Sequence, residues 1–155
     1  MDSKLNTRIS LLVPCQLVSR DAISSLVEHI CIRLEKEGEP EGFRYQVVSA
    51  FNEAFNNLAR HGGEKLRNED IMVVINVSEK QIVIELHDSG KGFKFPSKME
   101  QDNPEPGELR ESGMGLFIMR SFMSELKYQT DEKDGVNILR MVRNLTRDKQ
   151  HTGSQ

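Results

Sequence analysis

The sequence predicts an α+β fold: a two-layer α/β sandwich in which helices cover one face of a mixed, mostly antiparallel sheet. Two observations carry that prediction. Ahead of residue 62 the apolar residues recur twice at helical spacing, and from Ile71 the period drops to that of strands, with one further helical stretch between two hairpins. With 155 residues and 37% hydrophobic content the chain can bury one substantial core and is short for two. One domain over residues 1–145 is expected, followed by a polar, frayed tail at 146–155.

Thr7 to Val13 is rich in β-branched and aliphatic residues and reads as a strand that Pro14 ends, since proline cannot continue a ladder. Ser19 or Asp21 then caps a helix running to about Lys36, with Ile23, Leu26, Val27, Ile30, Cys31 and Leu34 at steps of three and four. Gly38-Glu39-Pro40-Glu41-Gly42 breaks the chain. Tyr45, Val48, Phe51, Phe55 and Leu58 set a second helical stripe, which stops at His61-Gly62-Gly63. Ile71 to Val77 and Gln81 to His87 form an antiparallel hairpin around Ser78-Glu79-Lys80. In its second strand Ile82, Ile84 and Leu86 alternate with Gln81, Glu85 and His87, so one face is buried. Phe93 to Ser112 holds Pro96, Pro104, Pro106 and Gly107 without any period, which suits a functional lid or a disordered insert. Met114 to Leu126 is helical, with Leu116, Met119, Phe122, Met123 and Leu126 on one stripe. Lys127 to Thr130 and Val136 to Val142 then close the domain as a hairpin around Asp134-Gly135.

A net charge of −3 and a pI near 5.8 argue against direct nucleic-acid binding, which calls for a basic stripe. Only Arg140, Arg143, Arg147 and Lys149 come close to a basic cluster. The apolar stretch from Ile9 to Val13 is too short for a signal segment or a membrane span, so a cytoplasmic protein without membrane attachment is expected. Cys15 and Cys31 have neither CxxC spacing nor metal-ligand companions and read as reduced, partly buried thiols.

Three motifs carry chemistry. Glu53, Asn57 and His61 fall at i, i+4 and i+8 on the second helix and so lie in nearly one line on its surface. Asn57 offers an amide oxygen suited to Mg²⁺, and Glu53 is placed to orient or deprotonate a hydroxyl; the same row equally reads as an exposed polar face. Asp88-Ser89-Gly90-Lys91-Gly92 ends an apolar strand. There Asp88 can accept from an adenine amine, Gly90 leaves room for the base and Gly92 turns the chain into the lid, while an ordinary turn is the alternative. Ser89 and Lys91 read as solvent-facing. Ser112-Gly113-Met114-Gly115 opens the third helix, where free N–H groups and the positive dipole end favour an anion such as triphosphate; Ser112 as a simple N-cap is the alternative.

The joint order of polar row, strand-terminal DxGxG, lid and GxG at a helix start resembles the Bergerat-type ATP-binding fold shared by gyrase, heat-shock 90 chaperones, histidine kinases and MutL. The resemblance covers roughly Thr7 to Leu145. Within that superfamily the sequence is most similar to the bacterial anti-sigma factor serine kinases of partner-switching systems. Glu53-Ala54-Phe55-Asn56-Asn57-Leu58-Ala59-Arg60-His61-Gly62 resembles their E-A-x-x-N-x-x-x-H-G helix, and Ser112 to Leu126 resembles their S-G-M-G segment. A sensor histidine kinase fits poorly, because His29 lacks the acid that follows a phosphoacceptor histidine.

The resemblance implies ATP or ADP with Mg²⁺ as cofactors. It makes Glu53 the general base or orienting group for a serine hydroxyl on a STAS-domain anti-anti-sigma protein and Asn57 the Mg²⁺ ligand. Asp88 selects adenine, Gly90, Gly92, Gly113, Met114 and Gly115 shape the pocket, and Ser112 faces the phosphates. His61 approaches phosphate or caps its helix. It further implies a homodimer and a second partner, a sigma factor or an alternative output protein. One departure stands out: where some relatives carry an arginine just before S-G-x-G, this chain has Glu111, with Arg110 one residue earlier. A carboxylate there opposes the charge that phosphoryl transfer must stabilise, so a nucleotide-binding module of the same fold without transfer is the alternative.

Overall fold

The computed structural model describes residues 6–61, 66, 68–90, 111–131 and 133–146, with only the backbone described for His61 and residues 111–113. In chain order the elements are β1 (Asn6–Pro14), α1 (Leu17–Lys36), α2 (Phe43–His61), β2 (Asp70–Ser78), β3 (Gln81–Asp88), α3 (Glu111–Phe122), β4 (Glu125–Asp131) and β5 (Val136–Asn144). The strands form one sheet in the order β1-β2-β3-β5-β4. All four pairings are antiparallel, so the sheet is antiparallel throughout rather than mixed.

Strand alternation assigns each residue a face. Leu11, Val73, Leu86, Leu139 and Tyr128 are cross-strand partners in one row, and Ile9, Ile75, Ile84, Met141 and Leu126 in another. Both rows join the core cluster with the apolar stripes of the helices, Ile23, Val27, Cys31 and Leu34 from α1 and Phe43, Val47, Phe51, Ala54, Phe55 and Leu58 from α2. The helices therefore share one face of the sheet, as expected for a two-layer α+β sandwich. The opposite face carries Glu85, His87 and Arg140, where Glu85 lies 3.5 Å from His87 and 3.7 Å from Arg140.

Several local expectations are corrected. Helix α1 starts at Leu17, and its N-cap residue Gln16 makes no side-chain cap bond, so neither Ser19 nor Asp21 caps it. Instead Arg20 reaches from α1 to Asn56 Oδ1 on α2 at 2.8 Å. The buried stripe of α2 is offset from the expected one: Tyr45 is exposed and meets the ring of Phe122 edge-on, and Phe43 and Val47 are the buried residues of that turn. Helix α3 runs from Glu111 to Phe122 and β4 already begins at Glu125, so the helix starts three residues and the strand two residues earlier than the apolar spacing suggested. Arg140 and Arg143 do not form a cluster, because an offset of three along a strand puts them on opposite faces. Arg143 turns inward, stacks over Phe43 at 5.2 Å and donates to the carbonyl of Phe122 at the C-terminus of α3. Phe93 to Arg110, most of the expected lid, lies outside the described residues, as do 147–155 of the expected tail.

The turns follow their residues. Gly135 adopts φ +64°, the left-handed region that the Asp134-Gly135 turn requires, and Asp131 Oδ1 accepts from the N–H groups of Lys133 and Asp134. Between α1 and α2, Gly38 at φ +124° takes a conformation that side chains avoid, and it lets Glu39 fold inward. Glu39 is 5% exposed, and its Oε1 accepts from both the backbone N–H and the hydroxyl of Thr146, just past β5.

Candidate functional site

Helices α2 and α3 pack antiparallel, Tyr45 against Phe122 at one end and Glu53 and Asn57 against Gly115 at the other. The contact at Gly115 is very close. A Cβ there would lie 2.8 Å from Glu53 Oε2 and 3.3 Å from Asn57 Nδ2, so glycine lets the start of α3 come down on this carboxylate and amide without displacing them. Asn57 is 7% exposed, which rules out a solvated polar face as the reason for its presence; Glu53 is half-buried beside it. Ser112 and Gly113 fall inside the first turn of α3 rather than ahead of it. The N–H groups of that turn have no partner within the helix and lie at its positive end. A carboxylate, an amide oxygen and a set of free N–H donors thus share one corner of the molecule, a donor set suited to a hydroxyl, a hard cation and a phosphate respectively.

The second group stands at the end of β3. Asp88 has the same parity as Ile82, Ile84 and Leu86 and so lies on the helix-covered face, 6% exposed. Its Oδ1 accepts from Gly90 N at 2.8 Å and from Asn137 Nδ2 at 3.0 Å. Asn137, 2% exposed and its cross-strand partner on β5, also donates to the Gly90 carbonyl at 2.9 Å. The turn reading of Asp-Ser-Gly is therefore correct as to local geometry. The same turn holds a buried carboxylate at a strand end, as a base-reading acid requires.

Ser89 is half-buried and hydrogen-bonded to Glu69, in the connection ahead of β2, which corrects the expectation of a solvent-facing filler. Cys15, just past the end of β1, sits close enough to Asp88 for its thiol pKa to be raised by burial first and by that carboxylate second. Cys31, at 0% exposure inside the core, is pushed up to about 12 by burial, with Glu35 adding to the effect. Both cysteines are free thiols, as expected. The backbone of His61 ends α2, and Gly92 lies outside the described residues.

Asn137 and Glu69 were not among the residues singled out from sequence, and Cys15 was read only as a reduced thiol with no place near Asp88. The first had a readable signal: in β5 the inward row runs Asn137, Leu139, Met141, and one polar residue in an otherwise apolar inward row needs a buried partner. Glu69 had none, since it lies in an irregular connection.

Among the described residues no helix is long and apolar enough to cross a membrane, and no cluster of His, Cys, Asp and Glu could hold a metal by itself. A Mg²⁺ ion would then need phosphate and water oxygens to complete its shell around Asn57, which is how that ion is ordinarily bound.

Known proteins place this geometry. Residues 21–143 match the histidine kinase-like ATPase domain. An anti-sigma F factor of Clostridium botulinum is 30% identical over 93 residues, 59% of this chain and 65% of that protein, so the chain spans just under two thirds of that relative. The serine-protein kinase RsbW of Listeria innocua is 27% identical over 107 residues, 63% of this chain and 67% of that protein. Among solved structures, the SiaB-SiaC complex of Pseudomonas aeruginosa contains a chain with the same fold, with a TM-score of 0.64 at 16% identity over 86% of this chain and 88% of that one. With the match to 21–143 and the sheet, helices and strand-end acid in place, the chain belongs to the histidine kinase-like ATPase domain family.

Proposed function

We propose that this chain binds ATP with Mg²⁺ and acts as a cytoplasmic protein-serine kinase and anti-sigma factor in a partner-switching system. Its substrate is a STAS-domain anti-anti-sigma protein, and it sequesters a sigma factor or an equivalent output protein in alternation. The observation that carries the reading is Gly115: its missing side chain lets the donor-rich start of α3 meet Glu53 and Asn57. The names of the relatives, anti-sigma F factor and serine-protein kinase, supply the partner class.

In this reading Glu53 takes the proton from the attacking serine hydroxyl, Asn57 supplies one oxygen to the cation, and the first-turn N–H groups of α3 hold the phosphates. Asp88 accepts from the adenine amine. Bound Mg²⁺ would neutralise charge on the phosphate oxygens during transfer. Two partners competing for one chain make a switch when nucleotide state or the phosphate on one partner changes their relative affinities. A homodimer of a single domain over residues 1–145 belongs to the same proposal.

The test is transfer of label from radiolabelled ATP to a cognate STAS-domain protein. Glu53→Gln should lower transfer by about two orders of magnitude or more, the contribution of a positioned general base, and change ATP affinity by no more than about three-fold. Undiminished transfer in that variant removes Glu53 from the chemistry. A second reading, a nucleotide-binding partner module without transfer, is favoured by the acidic Glu111 in the first turn of α3. ATP binding with no label on the partner is its signature.

A further inference from the structure

Asn137 spends a single amide nitrogen on two acceptors, Asp88 Oδ1 at 3.0 Å and the Gly90 carbonyl at 2.9 Å. That pairing fixes which end of the amide is nitrogen, because both neighbours are acceptors. Asp88 Oδ1 takes a second donor, the Gly90 N–H at 2.8 Å, so the three residues form a closed ring of hydrogen bonds across the β3–β5 ladder. No described residue donates to Asp88 Oδ2. With Oδ1 occupied by two donors, the carboxylate cannot rotate without leaving buried donors unpaired, which is costly at 2% and 6% exposure.

We infer that Asn137 is a specificity-determining positioning residue: it holds Asp88 as a fixed hydrogen-bond acceptor and so makes the purine site discriminate an amine from a carbonyl at the base edge. The inference rests on the nucleotide reading above and deepens it. An acceptor that cannot turn accepts from the exocyclic amine of adenine and opposes the carbonyl oxygen that hypoxanthine or guanine presents at the same position. Once Asn137 no longer donates, Oδ1 loses one of its two donors, and the carboxylate is free to rotate away from the base edge. A carboxylate that turns aside neither accepts from an amine nor opposes a carbonyl, so the two bases are held alike. Asn137 therefore tunes the choice of base rather than the grip on phosphate, which belongs to the other end of the site.

The test compares Asn137→Val with Asn137→Thr, two β-branched residues of similar shape that suit a strand and differ in a hydroxyl donor. Affinities for ATP and inosine triphosphate are measured by calorimetry in magnesium buffer on the full chain, with thermal unfolding as the check on folding. Asn137→Val should bind ATP about ten-fold more weakly and inosine triphosphate within about three-fold of the unsubstituted chain, collapsing the ratio between them. Asn137→Thr, which keeps one donor toward Asp88, should restore most of the ratio. An unchanged ratio in Asn137→Val, or an equal loss for both nucleotides, overturns the positioning role and leaves ATP binding standing. An unsubstituted chain that binds neither nucleotide overturns the nucleotide reading and this inference with it.

Discussion

Gly115 sits inside a helix, where alanine is ordinarily the better residue by about 1 kcal/mol. The sequence keeps glycine at a place where a methyl group would stand 2.8 Å from Glu53 Oε2. The crowded atom is the far end of a flexible side chain, so Gly115→Ala should cost little stability: Glu53 swings aside and helix propensity offsets the crowding. If the proposed function holds, the displaced carboxylate should nonetheless lower phosphoryl transfer by about ten-fold or more, since small misplacements of a catalytic group are expensive. Thermal unfolding and label transfer on the same preparation check this, and a variant that loses both together would mean the glycine serves packing alone. At this scale the sequence was legible where a residue type is unusual for its element, as with glycines at a helix start or an acid ending an apolar strand. It was illegible where function depends on a partner far along the chain: Asp88 and Asn137 are 49 residues apart, and only the β3–β5 register brings them opposite each other.

Among the elements, α3 is the one whose placement matters most, because its first turn reaches Glu53 and Asn57 and its last turn is held by Arg143. That guanidinium stacks on Phe43 at the start of α2 and donates to the Phe122 carbonyl, a cation at a helix C-terminus where the dipole favours it. Burial lowers the Arg143 pKa, and Glu39 counters that effect. Glu39 in turn holds Thr146 through two hydrogen bonds, at 2.8 and 3.1 Å. Glu39→Leu should therefore destabilise the fold by about 1–2 kcal/mol, since it removes both bonds to Thr146 and the carboxylate that faces the partly buried Arg143, whereas Glu39→Gln, which keeps an acceptor, should cost less. Denaturant midpoints measure the difference; equal values for the two variants would show that the charge and not the acceptor matters. Element type was readable from periodicity throughout, while boundaries moved where the start signal was misassigned. Ser19 and Asp21 are good capping residues, yet they lie within α1, whose first turn is set by Pro14 and Gln16 and needs no side-chain cap.

For the molecule as a whole, one antiparallel sheet with the three described helices on one side encloses a core among the described residues, and Cys31 is fully buried in it. Its thiol is raised from 9.0 to about 12 in the folded chain, so the unfolded chain ionises first. Stability from the neutral buried thiol is fully present below about pH 9 and is lost as pH rises toward 12. The stability advantage of the natural chain over Cys31→Ala should shrink across that range in denaturant titrations, and parallel curves would contradict the burial of the thiol. The fold class and the family were legible because hairpin, helix and glycine signals occur in an order that few architectures share. That the sheet is wholly antiparallel was not, since strand order depends on pairings between segments distant in sequence. The central claim is that residues of α2, α3 and the end of β3 together hold one nucleotide. It is tested most directly by calorimetry with ATP and Mg²⁺ on the natural chain and on Asp88→Asn, which places an amide donor against the adenine amine. The account predicts saturable binding in the first and about a hundred-fold weaker binding in the second, with thermal unfolding little changed. No binding by the natural chain, or equal binding by both, would contradict it.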